Sequence, residues 1–145
     1  MTEPPAAYLA TVLEIFPPAG AALSIDLRRP VAPGTAEALL ALLGGPFAVV
    51  TACNPRGEVI EATENERRAR ALEAELRRRS VEFLRADGRS PDGSHRERGV
   101  AARLPRPSAR DLAAHLQQQA YYWFDGAAFW LMGVLLETAP LRLPT

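Results

Sequence analysis

Six polar side chains stand where a site would be sought: Thr51, Asn54, Asn65, Arg68, Glu97 and Gln119. Three carry amides, one a hydroxyl, one a guanidinium and one a carboxylate. Amides and arginine recognise ligands; they do not attack them. Glu97 is the only acid/base candidate in the set, and no other catalytic residue is assigned. Asp92-x-x-His95-x-Glu97 offers three metal-ligand types. Its spacing matches no known metal site and it falls among turn residues, so no metal is expected. There is no phosphate-binding glycine loop, no Cys-x-x-Cys and no Gly-x-Ser-x-Gly. No cofactor is expected, and whether the chain is an enzyme stays open.

The elements that position these residues start with Phe47 to Pro55. This run is apolar until Thr51 and then breaks sharply, which predicts a central strand covered by helices. Asn54-Pro55 must end it, with Asn54 held extended by the following proline. Thr63 to Glu66 has a capping-box pattern, opening a helix expected from about Glu64 to Arg79. Its Glu64/Arg68, Glu66/Arg70, Glu73/Arg77 and Glu75/Arg79 spacings describe a solvated, ion-paired face. Ala69, Leu72 and Leu76 form its buried stripe. Asn65 projects about 20° from Leu72 and Arg68 lies on the stripe's edge. An amide there needs a partner, in the backbone near Asn54 or in a ligand, because leaving it unpaired costs roughly 1–3 kcal/mol.

The remaining chain supplies the frame. Tyr8 to Phe16 reads as either a short helix or a strand; as a strand it pairs with Ala21 to Leu27, whose alternation predicts a half-buried strand. Thr35 caps a helix from Ala36 to Leu43. Val81 to Ala86 reads as a strand, Asp87 to Ser94 as a loop, and Glu97 to Leu104 as the next strand. Ser108 caps a helix burying Leu112 and Leu116, with Gln119 at the end of its apolar face and His115 off that face. Asp125-Gly126 between two aromatic runs predicts a hairpin with a tight primed turn. Together these predict a single α/β domain, with α+β the alternative. It has a mixed sheet of five or six strands, three helices and a C-terminal antiparallel hairpin. Residues 1–7 read as a flexible N-terminus, 8–136 as the domain and 137–145 as a peripheral tail. The sequence sets neither strand order nor oligomeric state.

Composition excludes several classes. The chain's 145 residues suffice for one core. Acidic and basic residues number 17 each, for a net charge of +0. That balance, with aromatics read as sheet packing, argues against nucleic acid. Every basic residue is Arg, which genome composition explains without function. Cys53 is the single cysteine, so no internal disulfide forms and a reducing compartment fits. No signal-peptide pattern or membrane-length apolar run is visible, and a cytoplasmic location is expected.

Several of these segments belong to one pattern. Thr51-Ala52-Cys53-Asn54-Pro55 precedes a helix opening Glu64-Asn65 and carrying Leu72-Glu73-Ala74-Glu75-Leu76. Gly88 and Asp92-Gly93 come before Glu97, and a helix ends at Gln119 ahead of an aromatic strand. The arrangement resembles DUF3293, a small bacterial family of unknown function, over roughly Ala21 to Met132. The resemblance brings no activity, and implies that Asn54, Pro55, Asn65, Glu97 and Gln119 fall on the family's motif positions. Cys53 stands where that pattern has a large aromatic, the stretch Arg98 to Arg103 is less apolar than the pattern, and Gln118-Gln119 replaces a Gly-Gln-like pair.

Two functions remain in view. The first is a small-molecule or nucleotide-like pocket at the C-terminal end of the central strand and the N-terminus of the next helix, where open α/β sheets bind ligands and helix ends favour anions. The second is an accessory or protein-interaction domain in which Asn54, Asn65 and Gln119 only tie loops to helices, with the aromatic hairpin or a sheet edge as the contact surface. Unpaired polar atoms around a cavity favour the first; full pairing without a cavity favours the second.

Overall fold

Among the described residues eight strands form one sheet, whose order across the sheet, by place in the chain, is second, first, fourth, fifth, third, sixth, seventh, eighth. The computed structural model describes residues 3–145. The strands are β1 Val12–Ile15, β2 Leu23–Asp26, β3 Phe47–Thr51, β4 Phe83–Arg89, β5 Arg96–Ala102, β6 Ala120–Phe124, β7 Phe129–Gly133 and β8 Leu141–Arg142. The helices are α1 Ala6–Leu9, α2 Pro33–Leu43, α3 Ala62–Arg78 and α4 Arg106–His115, with a 3₁₀ turn at Pro55–Gly57. Both the strand count and the helix count exceed expectation.

Each strand pair is antiparallel, so the expected mixed sheet is corrected. β3 is interior as expected, between β5 and β6. Alternation along it separates two cores. Phe47 and Val49 join Leu39 and Leu43 of α2 on one face. Ala48 and Val50 join Leu72 and Leu76 of α3 and Leu112 of α4 on the other. A strand apolar on both sides is what a sheet coated on both faces requires.

Several boundaries moved for identifiable reasons. Tyr8 to Phe16 divides into α1 and β1, and β1 pairs with β2 as a hairpin. α2, α3 and α4 begin at Pro33, Ala62 and Arg106; none has a side-chain cap hydrogen bond. The caps assigned to Thr35, Thr63 and Ser108 are therefore not made, because each residue lies inside the first helical turn. In α2 and α4, proline near the start supplies a preset φ instead. Asp87 to Arg89, expected in a loop, extend β4 because β1 and β5 hydrogen-bond to them on both sides. The Asp125-Gly126 connection has four residues between the closing pair Phe124 and Phe129, not two. Asp125 accepts from the Ala127 and Ala128 N–H groups at 2.8 and 2.9 Å and from Trp130 Nε1 at 2.8 Å. Its side chain thus organises the wider turn. The tail expected at the periphery joins the sheet: β8 pairs with β7, and Leu143 is buried in the α2-side core. The expected flexible N-terminus starts outside the described residues, and α1 occupies its last two positions and beyond.

Candidate functional site

The end of β3 is built around an asparagine pair. Asn54 donates its backbone N–H to Asn65 Oδ1 at 2.8 Å. Asn65 returns Nδ2 to Asn54 Oδ1 at 2.8 Å, and that oxygen also takes the Ile60 N–H at 3.1 Å. Asn54 Nδ2 then reaches Glu97 Oε2 at 2.8 Å. Asn54 is not extended, as its proline neighbour suggested, but left-handed with φ 49°. Asparagine tolerates this region better than other non-glycine residues, and the three bonds to its side chain hold it there. Arg56 is also left-handed, φ 60°. It is strapped by its N–H to the Gln117 carbonyl at 2.7 Å and by its own carbonyl to Gln119 Nε2 at 3.1 Å. Gly57 completes the turn at φ 75°, where a Cβ would sit 2.8 Å from Gln119 Nε2.

Arg68 turns inward instead of pairing with Glu64. Its Nε donates to the Ala52 carbonyl at 2.6 Å and its Nη2 to the Leu116 carbonyl at 3.1 Å. It therefore ties α3 to the end of β3 and to the last turn of α4. Glu64 pairs with Arg67 instead, while the Glu66/Arg70, Glu73/Arg77 and Glu75/Arg79 pairs form as spaced. Among buried side-chain polar atoms of the described residues, none lacks a partner.

A cavity of about 470 Å³ opens on the opposite face of the sheet from α3. Thr51, Glu97 and Gln119 line it; Asn54 and Asn65 do not, and Arg68 lines a separate groove between α3 and α4. The cavity exists because β4, β5 and β6 present small residues there: Ala86, Gly88, Gly99 and Ala120. Gly99 has no room for a side chain, since a Cβ would lie 2.6 Å from the Val50 carbonyl oxygen. Tyr8 of α1 and Tyr122 of β6 form an aromatic wall, their rings edge to face at 6.5 Å. Tyr8 donates its hydroxyl to Gln119 Oε1 at 3.4 Å, and Tyr122 donates to the Tyr8 carbonyl at 2.6 Å. Burial, helped by the negative charge of Glu97, pushes the Tyr8 phenol up to about 12. Thr51 spends its hydroxyl on the Arg98 carbonyl at 2.9 Å.

Glu97 differs from the others. Its Oε2 takes both Asn54 Nδ2 and His95 Nε2, the latter at 3.1 Å. Oε1 has no partner among the described residues. The metal-ligand triplet does not converge: Asp92 accepts from Ser90 and Ser94 instead, and no group of three ligand-type side chains among the described residues could hold an ion. Cys53 lies buried behind the site, and burial raises its thiol above the ordinary range. That state suits packing and not nucleophilic attack.

Residues 50–121 match the family model described as "Protein of unknown function (DUF3293)". The chain carries a DUF3293 segment. No curated protein and no solved structure gives a significant match. The DUF3293 segment runs from the end of β3 through α3, β4, β5 and α4 into β6. It contains all six residues singled out from sequence, and it excludes α1 and Tyr8, which wall the cavity. Among the described residues no helix is long and apolar enough to cross a membrane.

Sequence reasoning missed Tyr8, Tyr122 and His95 as cavity residues. For His95 the available signal was its place two residues from Glu97, just ahead of β5. Tyr8 had none, because its contact with Gln119 spans 111 residues of chain.

Proposed function

We propose that this DUF3293 protein is a cytoplasmic small-molecule-binding domain whose ligand occupies the cavity between α1 and the β4–β5–β6 surface. The observation that carries the reading is a concavity of about 470 Å³ with apolar walls and a few convergent polar groups. That is the size and character of small-molecule sites. Glu97 sits at the polar end, with Thr51 and Gln119 beside it. In this reading Asn54, Asn65 and Arg68 are supports: they shape the loop and hold Glu97 without touching the ligand. Their wholly internal hydrogen bonding is also what favours the second reading, a non-catalytic interaction domain in which these residues only stabilise loops.

The test is a thermal-shift panel of nucleotides, sugar phosphates, amino acids, amines and divalent metals, run on the wild type and on Gly88→Val. Gly88 lines the cavity, and a Cβ there meets only Thr11 Cγ2, at an ordinary 3.5 Å. Valine suits a strand, so the variant fills space without breaking the sheet. A ligand at a hundred times its Kd adds about 2.7 kcal/mol, on the order of 5 °C in Tm for this size. A hit in the wild type that disappears in folded Gly88→Val is the expected result. Silence across every class in both proteins sinks the cavity reading and moves the search to protein partners.

A further inference from the structure

Resting on that reading, we infer that the cavity takes an organic cation: a flat apolar body against Tyr8 and Tyr122, with an ammonium or amidinium head on Glu97. Most polar groups lining the cavity are committed, and two carbonyl-type oxygens among them keep spare capacity. Glu97 leaves Oε1 unpartnered while Oε2 serves Asn54 and His95. Gln118, only 5% exposed, spends Nε2 on the Cys53 and Leu116 carbonyls at 3.0 and 3.3 Å, and among the described residues no bond engages its Oε1. Both are acceptors open to the cavity's solvent and able to take a donor, while Arg89 Nη2 is a donor on the same lining with no bond of its own among the described residues.

The charges agree. Arg89 also lines the cavity, but its Nε donates to Glu14 and its Nη1 to the Ser90 and Pro91 carbonyls at 3.1 and 3.2 Å. Arg96 is held by Glu14 and Asp87 at 2.7 and 2.9 Å. Arg56 donates to Gln117 Oε1 at 2.9 Å. No guanidinium is therefore spent on Glu97, whose one ion-pair partner among the described residues is the half-exposed His95. A part-buried carboxylate in a concavity that also holds two tyrosine rings attracts a cation by charge, with the rings as an apolar and cation-tolerant surface for its body.

Matched probes decide it. Isothermal titration would compare 2-phenylethylammonium, 2-phenylethanol and 3-phenylpropionate, with their two-ring analogues, on the wild type, Glu97→Gln and Gly88→Val. Glutamine keeps an oxygen for Asn54 Nδ2, so the support survives, and circular dichroism verifies the fold. The expected result is an ammonium member bound about ten- to a hundredfold more tightly than its alcohol, the carboxylate weakest. Glu97→Gln should erase that preference and leave the alcohol's affinity unchanged. If the alcohol or carboxylate binds as well as the ammonium, or the preference persists in Glu97→Gln, the cation inference is overturned. The cavity reading still stands in that case, provided Gly88→Val abolishes the binding. If no member binds the wild type, the inference is likewise overturned; it takes the cavity reading with it only when the broader thermal-shift panel is silent too.

Discussion

Asn65 shows how a residue's type and spacing can announce a role before its partner is known. Its place on the apolar stripe of α3 demanded a hydrogen-bonding partner, and the structure supplies the backbone and side chain of Asn54 at 2.8 Å each. Asn65→Ala should therefore cost about 1–3 kcal/mol, because it orphans the Asn54 N–H in a part-buried setting. A urea titration checks this, and an unchanged midpoint would show that water replaces the amide. Arg68 was legible only as a residue on the edge of the stripe. That it would choose main-chain carbonyls over Glu64 depends on where α4 ends, which local spacing does not encode. Asn54 itself was misjudged from its proline neighbour, since three hydrogen bonds to one side chain outweigh a local backbone preference.

At the scale of elements, the strongly periodic pieces were the readable ones. α3 was placed to within two residues at each end, and β3 emerged as interior from apolarity alone. The β4–β5 hairpin was harder, because Asp87-Gly88-Arg89 has the composition of a turn. It is strand only because neighbours on both sides complete its ladder, and Asp87 is neutralised there by Arg85 and Arg96. Gly99 carries a constraint of the same kind. A Cβ there would sit 2.6 Å from Val50 O and 3.0 Å from Ala86 O, both backbone atoms with little freedom to yield. Gly99→Ala is expected to lower stability by about 1–3 kcal/mol through overpacking, read as a drop in Tm. Gly88→Val, on the next strand, should show no comparable loss. Equal behaviour of the two would contradict the close approach of β3 and β5.

For the whole molecule, the two-sided core was visible in the pattern of β3, but the antiparallel order was not. Pairing of β4 with β1 and of β3 with β6 joins segments far apart in the chain, and hydrophobic alternation is the same for either strand direction. The rule that ligands bind beyond the carboxyl ends of parallel strands therefore has no parallel strands to act on here, and the cavity lies on the face opposite α3. One global property follows from the three tyrosines, of which Tyr121 and Tyr122 are buried and Tyr8 half-buried. Each phenol is raised, chiefly by desolvation. Above pH 10 the unfolded chain loses phenolic protons that the native protein keeps, so stability should fall as pH rises. Phenolate absorbance should appear together with unfolding; a titration of intact protein near the ordinary value of 10 would contradict it. The carboxylate of Glu97 opens on one face of the sheet, yet its other oxygen is bolted through Asn54 and Asn65 to the first turn of α3 on the opposite face. Two hydrogen bonds therefore separate the cavity's carboxylate from the first turn of α3, and a ligand held by Glu97 would be expected to be felt across the sheet as added rigidity there.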